Sequence, residues 1–341
     1  MIDHRNNQKD KHHHEHSHGQ AVHVHTHGAI DPSIFTTQRG IWAIKWSFIG
    51  LFATAVFQIV IVMFSGSVAL LADTIHNIGD AATAIPLWVA FRLARRKPNR
   101  RFTYGYGRVE DLAGVAIVFT ILLSAIVAGY ESIDRFFHPQ TVKYLWAVIA
   151  ASIVGFIGNE AVAQFRIKVG KEIGSAALVA DGHHARVDGL TSLAVLFGAV
   201  GVWLGYPLAD PIVGLLITVA ILRIVWESGK SIFTRMLDGV DPEIIDEIRH
   251  AVNHTPGVRD ISEVRVRWLG HRLHAELNVA VSPELSVESG HEIAKEVRHH
   301  LLHQLRYLSN ATIHVDPANA SGEDYHRVTE HEHDDLPAHS H

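Results

Sequence analysis

Ser67–Asp80, SVALLADTIHNIGD, sets an imidazole and a carboxylate into an otherwise apolar run. On a helix the i, i+4 spacing of His76 and Asp80 stacks both side chains on one face. The same spacing recurs much later, in another apolar run, at His184 and Asp188. An intramembrane carboxylate costs about 2.5–3.5 kcal/mol on insertion scales, so four ionisable groups in such runs need compensation. A divalent cation supplies it, because two imidazoles and two carboxylates can close a tetrahedral shell that zinc accepts without geometric penalty. One isolated pair could equally satisfy itself by hydrogen bonding across helices. A second pair at identical spacing favours metal.

Outward from these stretches, the apolar runs have lengths close to the ~20 residues needed to cross a bilayer. They predict six spans, over 41–64, 68–91, 110–133, 143–165, 175–204 and 208–231. The 341-residue chain is 48 % hydrophobic, high for a soluble protein of this size, and its apolar residues concentrate between Ile41 and Phe233. Arg92, Arg95, Arg96, Lys97, Arg100 and Arg101 lie between spans two and three, and Arg166, Lys168 and Lys171 between four and five. The turns on the other side, Ser65-Gly66-Ser67 and Gly205–Asp210, carry no Lys or Arg, and the loop after span three has only Arg135 and Lys143. Positive-inside bias therefore places both termini in the cytoplasm of a multi-pass protein, with a bacterial-type plasma membrane as the expected location. Met1–Gly28 is polar and lacks the apolar h-region of a cleavable signal peptide.

Cysteine is absent, which excludes disulfides and thiolate metal sites. Any metal must be held by His, Asp, Glu or backbone oxygen, and the 27 histidines become the informative entry in the composition. The net charge of −5, with no domain-wide basic excess, argues against a nucleic-acid partner. Residues 1–40, with HHHEHSHG and HVHTHG, form a low-complexity arm too poor in apolar residues to fold alone. It reads as a metal-collecting arm rather than as a purification tag or a neutral polar extension, since the irregular mixture with Glu, Ser, Val and Thr is not a clean tag. The HExxH match at His14–His18 is what chance provides in so His-rich a segment.

Past Asp238 the composition becomes that of a small soluble domain, spanning 238–318. An amphipathic helix over 242–254 follows an Asp cap, strands over 258–268 and 272–281 alternate across Gly270, a second helix covers 286–305, and a closing strand 311–315. The order α-β-β-α-β predicts an open α+β sandwich. The fold class is thus an all-α six-helix transmembrane domain over 41–237 plus a small α+β cytoplasmic domain. The tail over 319–341, with EHEHDD, is polar again and is expected to be disordered.

The stretch SVALLADTIHNIGDAA resembles the second-helix signature of the cation diffusion facilitator family, with Thr74 a mild departure, and ADGHHARVD over 180–188 resembles its fifth-helix counterpart. The resemblance extends from about Ile41 to Pro317. It implies a homodimeric divalent-metal/proton antiporter with a ferredoxin-like or metallochaperone-like cytoplasmic domain, and His76, Asp80, His184 and Asp188 as transport-site ligands. His/Asp pairs in both helices imply Zn2+ as the transported substrate, with Co2+, Ni2+ or Cd2+ following. His183, about 100° round the helix, then stands beside the site or is incidental.

The segment YGYGRVE over 104–110 resembles the family's entry to helix three, and the resemblance suggests a dimer-bracing charge pair between Arg108 and Asp238. The family's further metal site between helices two and three has no counterpart here, because 95–101, RRKPNRR, holds no His, Asp or Glu. In the cytoplasmic domain His291, His314 and Asp316 match positions of a metal site in relatives. The hairpin position that often carries His is Asn278, flanked by His274 and Glu276 on the same strand face. His299, His300 and His303 read as surface residues. Arg186 falls inside span five, where it needs a partner or must snorkel; Glu160, Asn159 and Glu227 are the candidates.

Small residues at 72, 79, 81, 82, 182 and 185 would let helices approach and slide. His loses or gains its proton near physiological pH, so metal and protons compete for it. The expected activity is proton-coupled Zn2+ efflux by alternating access. The rivals from other classes are a membrane zinc metalloenzyme, which needs an open coordination position and a catalytic base, and a metal-sensing scaffold with a structural site.

Overall fold

The computed structural model describes residues 32–65, 84–138, 145–206, 208–322, 331–333 and 336–339. Helices α1 (Pro32–Ser65), α2 (Ala84–Ala94), α3 (Arg108–Phe137), α4 (Leu145–Ile173), α5 (Ala176–Trp203) and α6 (Ala209–Met236) form the apolar part. All but α2 are long and apolar enough to cross a membrane. The predicted span over 68–91 falls mostly outside the described residues, and α2 is its described end.

These helices are apolar all round, as membrane helices are. Leu87, Phe91, Ile117, Ile121, Leu178, Ile221 and Ile232 are buried between them, while Phe52, Phe57, Phe119, Leu123, Leu216 and Trp226 point outward, each more than half exposed. The contact between α4 and α5 is unusually close. A Cβ on Gly182 would lie 2.9 Å from the backbone nitrogen of Ile167 and 3.1 Å from the carbonyl oxygen of Ala163, so only glycine admits this approach. The two helices are joined by Gly174 and Ser175 alone, and the Ser175 side chain caps α5 by accepting from the Leu178 amide at 3.0 Å.

That short corner corrects one expectation. The sequence places Arg166 in a loop between spans four and five, but α4 continues to Ile173 and Arg166 is 1 % exposed. Its Nη1 lies 3.0 Å from Oδ2 of Asp181, itself wholly buried. A guanidinium between two apolar helices needs such a partner, and Asp181 on the facing helix supplies it. Lys168 and Lys171 remain exposed on the same turn of α4, where they still add to the positive side.

The soluble part follows as α7 (Pro242–Asn253), β1 (Asp260–Leu269), β2 (Arg272–Val281), α8 (Val287–Gln304) and β3 (Leu308–Pro317). The α-β-β-α-β order matches the sequence reading. Asp241 and Ser286 cap the helices through the Glu243 and Ser289 amides. Strand β2 is central, antiparallel to β1 and parallel to β3. Its alternate residues Leu273, Ala275, Leu277 and Val279 share a core with Ile248 and Val252 of α7 and Val297 and Leu301 of α8, so both helices cover one sheet face and His274, Glu276 and Asn278 fall on the other. In the tail, expected to be disordered, β4 (His331–His333) and β5 (Leu336–His339) instead pair antiparallel, the alternating EHEH run being able to follow the two-residue period of a strand.

Gly182→Val should lower the thermal transition of the detergent-solubilised protein, with about 1–3 kcal/mol or more lost to overpacking against Ile167. An unchanged midpoint in a scanning-fluorescence melt would mean that the α4–α5 approach is looser than described.

Candidate metal centre

The cap at Ser175 fixes where α5 begins and hence where its polar face points. Nine residues on, His184 is 1 % exposed, and one turn further Asp188 is 9 % exposed. His184 Nδ1 lies 3.9 Å from Asp188 Oδ1, so the two stand on one face as their spacing requires. The hydroxyls of Thr191 and Ser192 donate to the Asp188 backbone carbonyl at 2.8 and 3.1 Å.

Both arginines near this face are neutralised elsewhere. Arg166 pairs with Asp181 one turn below His184. Arg186 donates from Nε and Nη2 to Glu160 of α4 at 3.1 and 2.8 Å, a bidentate pair that identifies its partner among the three candidates. Asn159 is buried, and Glu227 instead accepts from Arg223. His183 is half-buried on another face of α5. His76 and Asp80, the other half of the predicted set, lie outside the described residues. Among the described residues no three His, Asp or Glu side chains gather closely enough to hold a metal ion.

Beyond Asp188, toward the far ends of α3, α5 and α6, a cavity of about 100 Å3 is lined by Ser132, Thr191 and Asp210 among others. Arg135 closes it, with Nη1 3.0 Å from Asp210 and Nη2 3.9 Å from Glu131.

In the soluble part the predicted residues come together only in pairs. His314 Nε2 lies 2.9 Å from Asp316 Oδ1 on β3. His291, exposed on α8, borders the same cavity of about 340 Å3 as Asp316. Asn278 is the register partner of His314, but its amide donates to Glu263 at 3.4 Å, and Glu276 accepts from Arg267 at 2.5 Å. Those two positions thus turn toward β1. His299 and His303 are exposed as expected, whereas His300 is partly covered and contacts Thr255 and Glu296.

Arg108 and Asp238, expected to brace two copies, pair within one chain, and Arg108 also donates to the Arg235 carbonyl at 2.9 Å. Beside them lies a buried cluster that sequence reasoning did not single out, made of Glu110, Ser175 and His271. Glu110 ends the quoted YGYGRVE run, so its place was visible, but nothing in a Gly-His hairpin turn marks His271 as buried.

Comparison with known proteins places this architecture. Residues 44–237 match the cation efflux transmembrane domain and residues 240–318 the cation efflux protein cytoplasmic domain. The chain belongs to the cation efflux family. A probable cation efflux system protein of Mycobacterium tuberculosis is 54 % identical over 290 residues, covering 85 % of this chain and 87 % of that protein. The magnetosome protein MamB of Paramagnetospirillum magneticum is 26 % identical over 83 % of this chain and 95 % of its own length. The manganese efflux system protein MneP of Bacillus subtilis is 26 % identical over 74 % and 87 %. As a cation efflux protein, the chain is an integral membrane transporter of divalent metal cations and not an enzyme, which removes the metalloenzyme rival.

Arg186→Met leaves Glu160 charged and half-buried among apolar helices, whereas Arg186→Met with Glu160→Met removes both charges. The single variant should be the less stable of the two, by about 1–3 kcal/mol after allowance for partial exposure. Thermal melts of both in the same detergent check it, and equal melts would show the pair to be energetically idle.

Proposed function

We propose that this cation efflux protein exports Zn2+ from the cytoplasm in exchange for protons, through a site built from His76, Asp80, His184 and Asp188. The observation that carries the reading is the buried His184–Asp188 face of α5, an imidazole and a carboxylate held 3.9 Å apart on one side of an apolar helix. An imidazole and a carboxylate brought together in this way are donors of the kind a divalent cation takes.

Two imidazoles and two carboxylates suit Zn2+, Co2+, Ni2+ and Cd2+ better than Mn2+, which prefers oxygen donors. Zn2+ leads because it takes four ligands without a geometric preference of its own. Loading requires neutral imidazoles, so each Zn2+ that binds competes with protons, and protonation of the histidines on the far side assists release. Alternating access then couples the metal to the proton gradient. The chain acts as a homodimer in the plasma membrane with both termini cytoplasmic. The domains are an arm over 1–40 that gathers metal, a transport domain over 41–237, a cytoplasmic domain over 238–318 that braces the dimer, and a tail over 319–341. His291, His314 and Asp316 form at most a secondary metal site, because Asn278 and Glu276 turn toward β1.

Reconstituted vesicles decide it. Uptake of Zn2+, Co2+, Ni2+, Cd2+ and Mn2+ is followed under an imposed pH gradient, with Asp80→Ala and Asp188→Ala beside the unaltered protein. Zn2+ should move fastest, acidification of the trans side should raise its rate and acidification of the loading side lower it, and both variants should fall to background. Uptake indifferent to the gradient and to both aspartates would overturn the mechanism.

A further inference from the structure

The turn between β1 and β2 is buried against the membrane helices. At its tip His271 is 2 % exposed. Its Nδ1 lies 2.6 Å from Oε2 of Glu110 at the start of α3, its Nε2 lies 2.9 Å from the Thr37 hydroxyl on α1, and its ring sits 5.5 Å from that of Phe91 on α2. The backbone completes the insertion. The Gly270 amide donates to Asp111 and the His271 amide to Glu110, both at 3.3 Å. Gly270 has φ +64°, and a Cβ there would lie 2.7 Å from Glu110 Oε2, so glycine is what lets the tip enter.

Glu110 faces two ways. Its Oε1 accepts from the Ser175 hydroxyl at 2.5 Å, and Ser175 is the cap of α5. Arg235 closes the same corner by stacking on Trp268 of β1 at 4.1 Å and donating to the Gly174 carbonyl at 2.5 Å. A continuous path thus runs from the hairpin tip through Glu110 to the first turn of the helix that carries His184 and Asp188. A second contact runs through Phe91 to α2, the described end of the span to which the sequence assigns His76 and Asp80.

We propose that His271 is a positioning residue for transport, which ties the cytoplasmic domain to both ligand-bearing helices so that they move with it and return to register in each cycle. A buried carboxylate that loses its only imidazole partner is costly, so tip, Glu110 and cap travel as one unit and do not slide past one another. The proposal rests on the reading that α5 moves to load and release metal. Affinity of the loaded site is set by its ligands, about two and a half to three and a half turns away from the cap, whereas the rate at which the helices re-form the site depends on the tie. Its loss should therefore slow turnover and spare apparent affinity.

The test uses the full chain in vesicles, with initial Zn2+ uptake measured over a concentration series. His271→Ala and Glu110→Gln should each lower kcat about tenfold, the size expected when a small misplacement disturbs a working geometry, with KM for Zn2+ within about twofold. The double variant should be no worse than either single one, because the two groups act as a unit. His271→Asn, whose amide can replace the Nδ1 donor, should recover part of the rate. Should His271→Ala fail to fold, the isosteric Glu110→Gln carries the same expectation. Unchanged kcat with only a lowered melting point, losses that multiply in the double variant, or a rise in KM matching the fall in kcat would each overturn the proposal. Asp188→Ala in the same series keeps the two readings apart. Undiminished uptake by that variant sinks the ligand assignment, while the kcat of His271→Ala still decides the tie.

Discussion

Charge inside an apolar environment has to be cancelled locally, and the arrangement of α4 against α5 follows from that requirement. Arg166 meets Asp181 and Arg186 meets Glu160, each pair linking the two helices at a different height. Neither arginine could be kept on its own helix without its partner, so the pairs fix the rotation and the register of α4 relative to α5 as well as their proximity. Small residues make the approach feasible, as at Gly182 over Ile167. Between those two heights α5 carries His184 and, one turn further, Asp188, both buried and stacked on one face.

The long helices and the α-β-β-α-β order were legible because each rests on a local regularity: run length against bilayer thickness, alternation in strands, and capping residues at Asp241 and Ser286. The His184–Asp188 face was equally legible, since i, i+4 spacing is geometry that any helix enforces. What escaped was pairing between elements. Arg166 sits in a basic run that looks like a loop, and only Asp181, fifteen residues on and across a two-residue corner, explains its burial. Arg186 had three sequence candidates, and rotation of α4 chose Glu160. His271 lies in a hairpin turn, a position that is ordinarily on the surface, and its burial depends on how two domains dock.

The soluble-domain histidines show the converse. They are numerous and suggestively spaced, yet His299 and His303 face outward, and the strand face holding Glu276 and Asn278 is satisfied by β1 through Arg267 and Glu263. The sequence already weakened that site by placing Asn278 where relatives often carry His, and the contacts of Asn278 and Glu276 with β1 add to that.

The two-residue corner at Gly174 and Ser175 also sets a scale for motion. Helix α5 is 28 residues long, a rod of about 42 Å at 1.5 Å per residue, held at its inner end by the corner and the groups around it. A tilt of about 10° about that end displaces the outer tip by about 7 Å but His184, nine residues along, by only about 2 Å. The same rotation about the corner thus moves the far tip about three times as far as it moves His184.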